Sequence, residues 1–527
     1  MKRLLNLHGK DRLMDTPLQT LDRREFLRLS GAAAAGILSG GSFLSLSGGG
    51  KHPPNILFII GDDLRPELGC YGNTAIKSPN IDRLASQGVV FSRSYCQQSI
   101  CNPSRSSFLT GMRPDSIKVW DQVTHFRKHQ PDLMTLPQYF KENGYHSVGI
   151  GKVFHDFAKD PVSWSCPSPE IKGAYIFQNP GTRNLLKKLE DRARALGKSR
   201  TWIMTMLRGP ATEAFDAPES QYWDGALTDQ AIQLLGELKD KEPFFLAMGF
   251  FKPHLPFVAP KKYWDIYNPD EIPLAKNNFP PKGAPFFALN EGYELANYEG
   301  FINIPKPTEG ALTRLQARLL KHGYYACISF IDAQIGRLLD ELERLELREN
   351  TIIVLLGDQG CKLGEHRCWG KRTNYENDIR TTLIVSAPEA PANGKVSPAL
   401  VELVDVYPTL CELAGLEVPS HLEGTSMVPL LKKPDRTWKI AAFSQSVRGF
   451  SGRFLGRSIR MDRYHYVEWK DWIKGEIIAR ELYDHQNDPE ENLNIADWPE
   501  HRQLIQRLSY LLSVGWKGVL PRRSLKK

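Results

Sequence analysis

Two short acidic clusters and one cysteine pentapeptide carry the side chains best suited to chemistry. Asp62 and Asp63 follow the apolar run Asn55-Ile56-Leu57-Phe58-Ile59-Ile60 after one glycine, and Asp358-Gln359 follow the run Thr351 to Leu356 in the same way. Adjacent carboxylates repel one another unless a cation lies between them. An isolated Asp-Asp reads as a helix cap or a solvated turn. Repeated at the ends of two strands, the pattern offers oxygen ligands for a hard cation, Ca2+ or Mg2+ rather than zinc. Cys101-Asn102-Pro103-Ser104-Arg105 opens the amphipathic segment Ser106 to Thr110. Pro103 suits a first helical turn, so the thiol is expected near a helix N-terminus. There negative charge is stabilised, the thiol pKa can fall, and a cysteine nucleophile becomes possible. Without such a context a cysteine reads as a small buried hydrophobe.

The elements that must position these residues follow from hydrophobic periodicity. The nearly continuous apolar runs at 55–60, 244–251 and 351–356 read as strands buried on both faces. They alternate with helical patterns at Thr135 to Asn143 and Ala326 to Arg344. That order predicts an α/β domain with a large, mostly parallel sheet sandwiched by helices, where ligand sites gather at the C-terminal strand ends. A further helix is expected at Asp405 to Ala414, then a soft boundary near residue 435. Beyond it, Arg457 to Trp469 alternates like antiparallel strands and Glu500 to Val514 reads as a helix, a smaller α+β subdomain. The expected division is 1–50 as export signal and linker, 51–435 as the catalytic domain and 436–527 as the C-terminal subdomain. Asn277 to Pro307, rich in Pro, Gly and aromatics, reads as a long surface loop of a length that is often functional.

The formal charge of +8 includes seven Lys/Arg against four acids in the first 28 residues. What remains is mild and dispersed; it suits an anionic substrate and argues against nucleic acid. Arg23-Arg24-Glu25-Phe26-Leu27, before a weakly apolar stretch from Leu29 to Leu46, resembles a twin-arginine export signal. Export places the chain in the periplasm or outside the cell. No other run approaches the ~20 apolar residues of a membrane-spanning helix, so the mature protein is expected to have none. The eight cysteines lack disulfide-scaffold density and read as core residues or possible bridges. The basic segment Arg183 to Arg200 could steer an acidic polymer, although such runs are more often solvated helix faces.

Cys-x-Pro-Ser-Arg is the modification signature of the sulfatase family. The resemblance continues through Gly111-Met112-Arg113-Pro114, Gly151-Lys152-Val153-Phe154-His155, Lys252-Pro253-His254-Leu255-Pro256, Gly357-Asp358-Gln359-Gly360, Leu363-Gly364-Glu365-His366, Lys371 and Glu481-Leu482-Tyr483-Asp484. It covers essentially everything after residue 52. Leu136 to Lys141, the Gly151 motif and the Lys252 motif most resemble the iduronate-2-sulfatase branch. The resemblance implies an alkaline-phosphatase-like fold and hydrolysis of a sulfated oligosaccharide or polysaccharide, with a 2-sulfated uronic acid as the leading substrate.

It also implies that a maturation enzyme oxidises Cys101 to formylglycine. The aldehyde hydrate would attack sulfur, forming a covalent sulfoenzyme that then expels sulfate. Asp62, Asp63, Asp358, Gln359 and the modified Cys101 would hold one Ca2+, with Mg2+ possible. Arg105 would steady the hydrate, Lys152 and Lys371 would bind sulfate oxygens, His155 would act as base, and His254 would contact sulfate or protonate the leaving oxygen. Gln359 departs from the Asp-His pair of the iduronate-2-sulfatases, replacing an imidazole nitrogen by an amide oxygen. Asp121, Lys252, His366 and Arg380 are further candidates for substrate contact. The rival readings are a formylglycine-dependent phosphonate or phosphate ester hydrolase and a non-catalytic glycan-binding relative.

Overall fold

The structure, a computed structural model, describes residues 53–521 except 200–202, 204–207, 242, 291–293, 389 and 449–451. The expected export signal and linker lie outside the described residues. Eight strands build the main sheet: β1 (Asn55–Gly61), β2 (Val89–Tyr95), β3 (His146–Gly151), β4 (Phe244–Gly249), β5 (Thr351–Gly357), β6 (Arg380–Thr381), β7 (Leu383–Ser386) and β8 (Lys395–Glu402). Their order is β6-β2-β7-β5-β1-β4-β3, with β8 beside β2. The central strands β5, β1, β4 and β3 run parallel, while β7 is antiparallel to both β5 and β2. This is the mixed, mostly parallel α/β sheet read from the apolar runs.

Period-two alternation explains why β1 reads as an unbroken apolar run. Leu57 and Ile59 enter one buried core with Leu246, Met248, Ile353 and Leu355, while Ile56, Phe58 and Ile60 enter the opposite one with Phe245, Val354 and Leu356. Helices cover both faces: α1 (Pro79–Ser86), α2 (Cys101–Thr110), α3 (Leu136–Glu142), α4 (Pro180–Ala195), α5 (Trp223–Leu238), α6 (Arg314–Arg344) and α7 (Val406–Leu413). The expected helix at Ala326 starts earlier, at Arg314. A capping box between Thr313 and Gln316 nucleates it, and the exposed first turns lack the apolar stripe that periodicity detects. Phe58 of β1 lies 6.2 Å from Phe108 of α2 and 6.1 Å from Phe245 of β4 between ring centroids. Truncating such a buried aromatic costs about 3–5 kcal/mol, so α2 is held firmly on the sheet.

Four antiparallel strands follow in sequence order: β9 (Ala441–Arg448), β10 (Phe454–Met461), β11 (Tyr464–Asp471) and β12 (Ile477–Asp484). Helix α8 (Arg502–Val514) covers one face through Leu508 against Ile459, Tyr466 and Leu482. The other face meets Tyr375 and Leu289 through Val467, Trp469 and Tyr483. All eight cysteines are free thiols. Among the described residues, no helix is long and apolar enough to cross a membrane.

Candidate active site

The register of β1 with β5 builds the acidic centre. Gly61 pairs with Gly357, so Asp62 and Asp358 leave the sheet side by side. Gly357 has no room for a side chain: a Cβ there would lie 2.2 Å from the Leu64 carbonyl oxygen. Asp63 turns at φ 62°, in the left-handed region, a cost met by the surrounding hydrogen bonds. Its N–H donates to Asp358 Oδ1 at 3.0 Å, as does the N–H of Gln359, and Tyr324 Oη donates to the Asp63 carbonyl at 2.9 Å. Oxygens of Asp62, Asp63 and Asp358 lie within 4.8 Å of one another, all three residues buried.

Helix α2 aims three residues at this centre, because positions 101, 104 and 105 share one face. Cys101, its first residue, places Sγ 3.4 Å from both Asp62 Oδ1 and Gln359 Nε2. Ser104 Oγ donates to the Asp358 carbonyl. Arg105, fully buried, donates from Nε to Asp358 Oδ2 at 2.8 Å, approaches Asp62 Oδ1 at 3.4 Å and reaches the carbonyls of Lys152 and Val153. The helix N-terminus does not lower the thiol pKa as expected. Burial, reinforced by Asp62, pushes the Cys101 thiol up to about 12. An unmodified Cys101 is therefore protonated at neutral pH and a poor nucleophile.

Cationic side chains close the other side. Lys152, just past β3, pairs with Asp62, and Lys371 Nζ donates to Asp63 Oδ1 and Oδ2 at 2.7 and 2.8 Å. Burial alone would raise Asp62, yet Lys152, His254 and Arg105 hold it well below the usual carboxylate range. Asp358 goes the other way: burial, with Asp62 and Asp63 nearby, outweighs Arg105 and pushes it up to about 6. His155 is depressed to about 3 by burial and by Lys152 and Arg105, which leaves the ring neutral and weakly basic. His254 Nδ1 faces the Leu255 carbonyl at 2.5 Å, and its Nε2 lies 3.2 Å from Glu294 Oε1 and 4.0 Å from Asp63 Oδ2.

Glu294 has no motif in the sequence. Its one signal is its place in the long loop 277–307, which carries only short 3-10 turns among its described residues and buries Leu295 and Tyr298. Glu294 also takes Arg208 Nη1 at 3.2 Å and lies 3.9 Å from Lys371 Nζ. Glu294→Gln should therefore lower kcat/KM by about tenfold and stability by about 1.5–3 kcal/mol, since it weakens charged hydrogen bonds to His254 and Arg208. Steady-state kinetics beside a urea melt checks this; unchanged kinetics would remove Glu294 from the site.

The four further contact candidates fare differently. Lys252 spends its ammonium on the carbonyls of His254 (3.2 Å) and Pro256 (2.6 Å), bracing the His254 loop from behind. Asp121 caps its own turn through the N–H groups of Val123 and Thr124, and Arg380 Nε donates to the Ser92 carbonyl. His366, fully buried, bonds the Glu490 carbonyl and meets Tyr375 edge to face, so it supports the second sheet rather than contacting substrate. The basic run up to Arg194 lies on α4, whose Lys and Arg residues are exposed or half-buried, as a solvated face would be; Lys198 follows the helix and Arg200 lies outside the described residues.

The sulfatase family model matches residues 54–416, and a model for the C-terminal part of N-sulphoglucosamine sulphohydrolase matches 364–514. The chain is 33% identical to human iduronate 2-sulfatase, covering 86% of this chain and 93% of that one. It is 30% identical to a sulfatase of Formosa agariphila, covering 87% and 86%. Among solved structures, a complex with the substrate D-glucosamine-2-N,6-O-disulfate aligns with TM-score 0.68 and 24% identity, over 90% of this chain and all of that one. The phosphonate monoester hydrolase of Agrobacterium radiobacter aligns with TM-score 0.67 and 22% identity, over 88% and 95%. At these identities the structural likenesses establish the fold, while the family match and the relatives go further: the chain belongs to the sulfatase family of sulfuric ester hydrolases.

Proposed function

We propose that this sulfatase removes sulfate from a 2-sulfated uronic acid in a glycan, using a formylglycine made from Cys101 beside one Ca2+. The convergence of Cys101 Sγ, three carboxylates and the buried cations Arg105, Lys152 and Lys371 on one point carries the reading. The donor set fits a hard cation: Asp62, Asp63 and Asp358 supply oxygens, and Gln359 Oε1 is buried with no hydrogen-bond partner among the described residues. When present, the modified Cys101 supplies an oxygen nucleophile, and the cation supplies positive charge for the sulfate oxygens.

The remaining steps belong to the chain's own side chains. Lys152 and Lys371 bind the sulfate oxygens and hold sulfur in line with position 101. Arg105 orients position 101 through its rigid guanidinium, fixed on Asp358 and two carbonyls. His155, neutral, accepts a proton from the hydroxyl at position 101, and His254 delivers one to the departing sugar oxygen. The uronic acid assignment is supported by the 33% identity to iduronate 2-sulfatase over most of both chains. Export through the twin-arginine-like start and maturation by a formylglycine-generating enzyme belong to the same reading, with 51–435 supplying the chemistry and 436–527 the rim.

Parallel assays of a 2-sulfated uronic acid disaccharide and a phenylphosphonate monoester test it. We expect kcat/KM for the sulfate to exceed that for the phosphonate by at least about 100-fold, the scale on which transition-state contacts discriminate. A reversed ratio would replace this reading with a phosphonate hydrolase.

A further inference from the structure

Both flanks of Cys101 grip one short segment. Three residues before it, Gln98 bridges to Gln445 of β9 and donates through Nε2 to the Trp120 carbonyl at 2.8 Å. One residue after it, Asn102 donates through Nδ2 to the carbonyls of Asp121 and Thr124 at 2.8 and 2.9 Å. The Trp120 indole is fixed in turn: Nε1 donates to Asp115 Oδ1 at 2.7 Å, and Asp115 Oδ2 takes Arg457 Nη2 at 2.5 Å. Against Trp120 stands Trp472, edge to face, with ring centroids 5.0 Å apart and planes at 90°.

Trp472 lies in the turn after β11, so two distant segments meet in this aromatic pair, which is tied through Gln98 and Asn102 to the flanks of the candidate nucleophile. It keeps 37% of its surface exposed, Lys474 of the same turn is exposed, and half-exposed Lys470 pairs with Glu468 Oε1 at 3.3 Å. A flat indole face presents π surface that matches the C–H groups on the apolar face of a pyranose ring. The exposed Lys474 ammonium attracts the carboxylates and sulfates of an acidic glycan.

We propose that Trp120 and Trp472 form a subsite for the sugar adjoining the sulfated residue, with Lys474 taking its acidic groups. The proposal rests on the glycan substrate inferred above and makes the enzyme prefer a chain to a free sulfated monosaccharide.

Titration calorimetry on the full chain carrying Cys101→Ala, which binds without turnover, tests it. The probes are a heparin-derived sulfated tetrasaccharide and a 2-sulfated uronic acid monosaccharide. Adding Trp472→Ala should raise the tetrasaccharide Kd by about three- to tenfold, the range of one aromatic contact, with less than about twofold change for the monosaccharide. Trp472→Phe, which keeps an aromatic ring, should recover most of the loss. An unchanged tetrasaccharide Kd, or an equal loss for both ligands, would overturn the subsite. Sulfate release by the unaltered chain separates the two readings. Tetrasaccharide held through Trp472 without hydrolysis keeps the subsite and removes the proposed reaction, and hydrolysis indifferent to Trp472 does the reverse.

Discussion

Cys101→Ala should abolish sulfate ester hydrolysis, with kcat falling by at least about 10^4-fold, the loss typical when a nucleophile is removed. The expectation follows from geometry. Cys101 is the residue of α2 that faces Asp62 and Gln359 at 3.4 Å, and the buried cations are arranged around that point. The variant should stay folded, because α2 is anchored by Phe108, by Ser104 on Asp358 and by Arg105, none of which depends on the sulfur. Sulfate release and a thermal melt, measured together, decide the matter. Retained hydrolysis in a folded variant would refute the assigned nucleophile.

The second large effect concerns the acidic centre. Asp358 is pushed up to about 6, above the ~3.9 of an unfolded aspartate, because burial and two neighbouring carboxylates oppose its ionisation. A carboxyl raised in this way contributes stability at low pH that is lost as pH rises through about 6. A divalent cation reverses that sign, since it favours the ionised form and must displace the proton below pH 6. Relative to Asp358→Asn, the chelated protein should therefore lose stability between pH 5 and pH 7.5, and the melting-temperature gain on adding Ca2+ should grow over the same interval. Ca2+ in hundredfold excess over its Kd adds about 2.7 kcal/mol. Chelation should also remove activity, and Asp358→Asn should blunt both responses. A Ca2+ response that is absent, or equal at pH 5 and 7.5, would contradict the metal assignment.

Much of this arrangement was legible because the chemistry sits at the ends of the strongest signals. β1 and β5 are unbroken apolar runs, their shared register puts Asp62 beside Asp358, and Pro103 marks the first turn that delivers Cys101 and Arg105. Less legible was whatever depends on contacts between distant segments. Glu294 comes from a loop with no periodicity, and only the fold carries it to His254. His366 lies within a motif resembling the family's, yet its ring turns toward Glu490 and Tyr375. The thiol of Cys101 illustrates a different limit. A helix N-terminus lowers a thiol pKa when solvent or a cation helps, but here burial and the Asp62 carboxylate outweigh it.

The most direct test of the central claim is peptide mass spectrometry across Cys101 on active protein purified from its own host. The account predicts an aldehyde in place of the thiol, in proportion to specific activity. Fully active protein carrying an unmodified thiol at position 101 would contradict it.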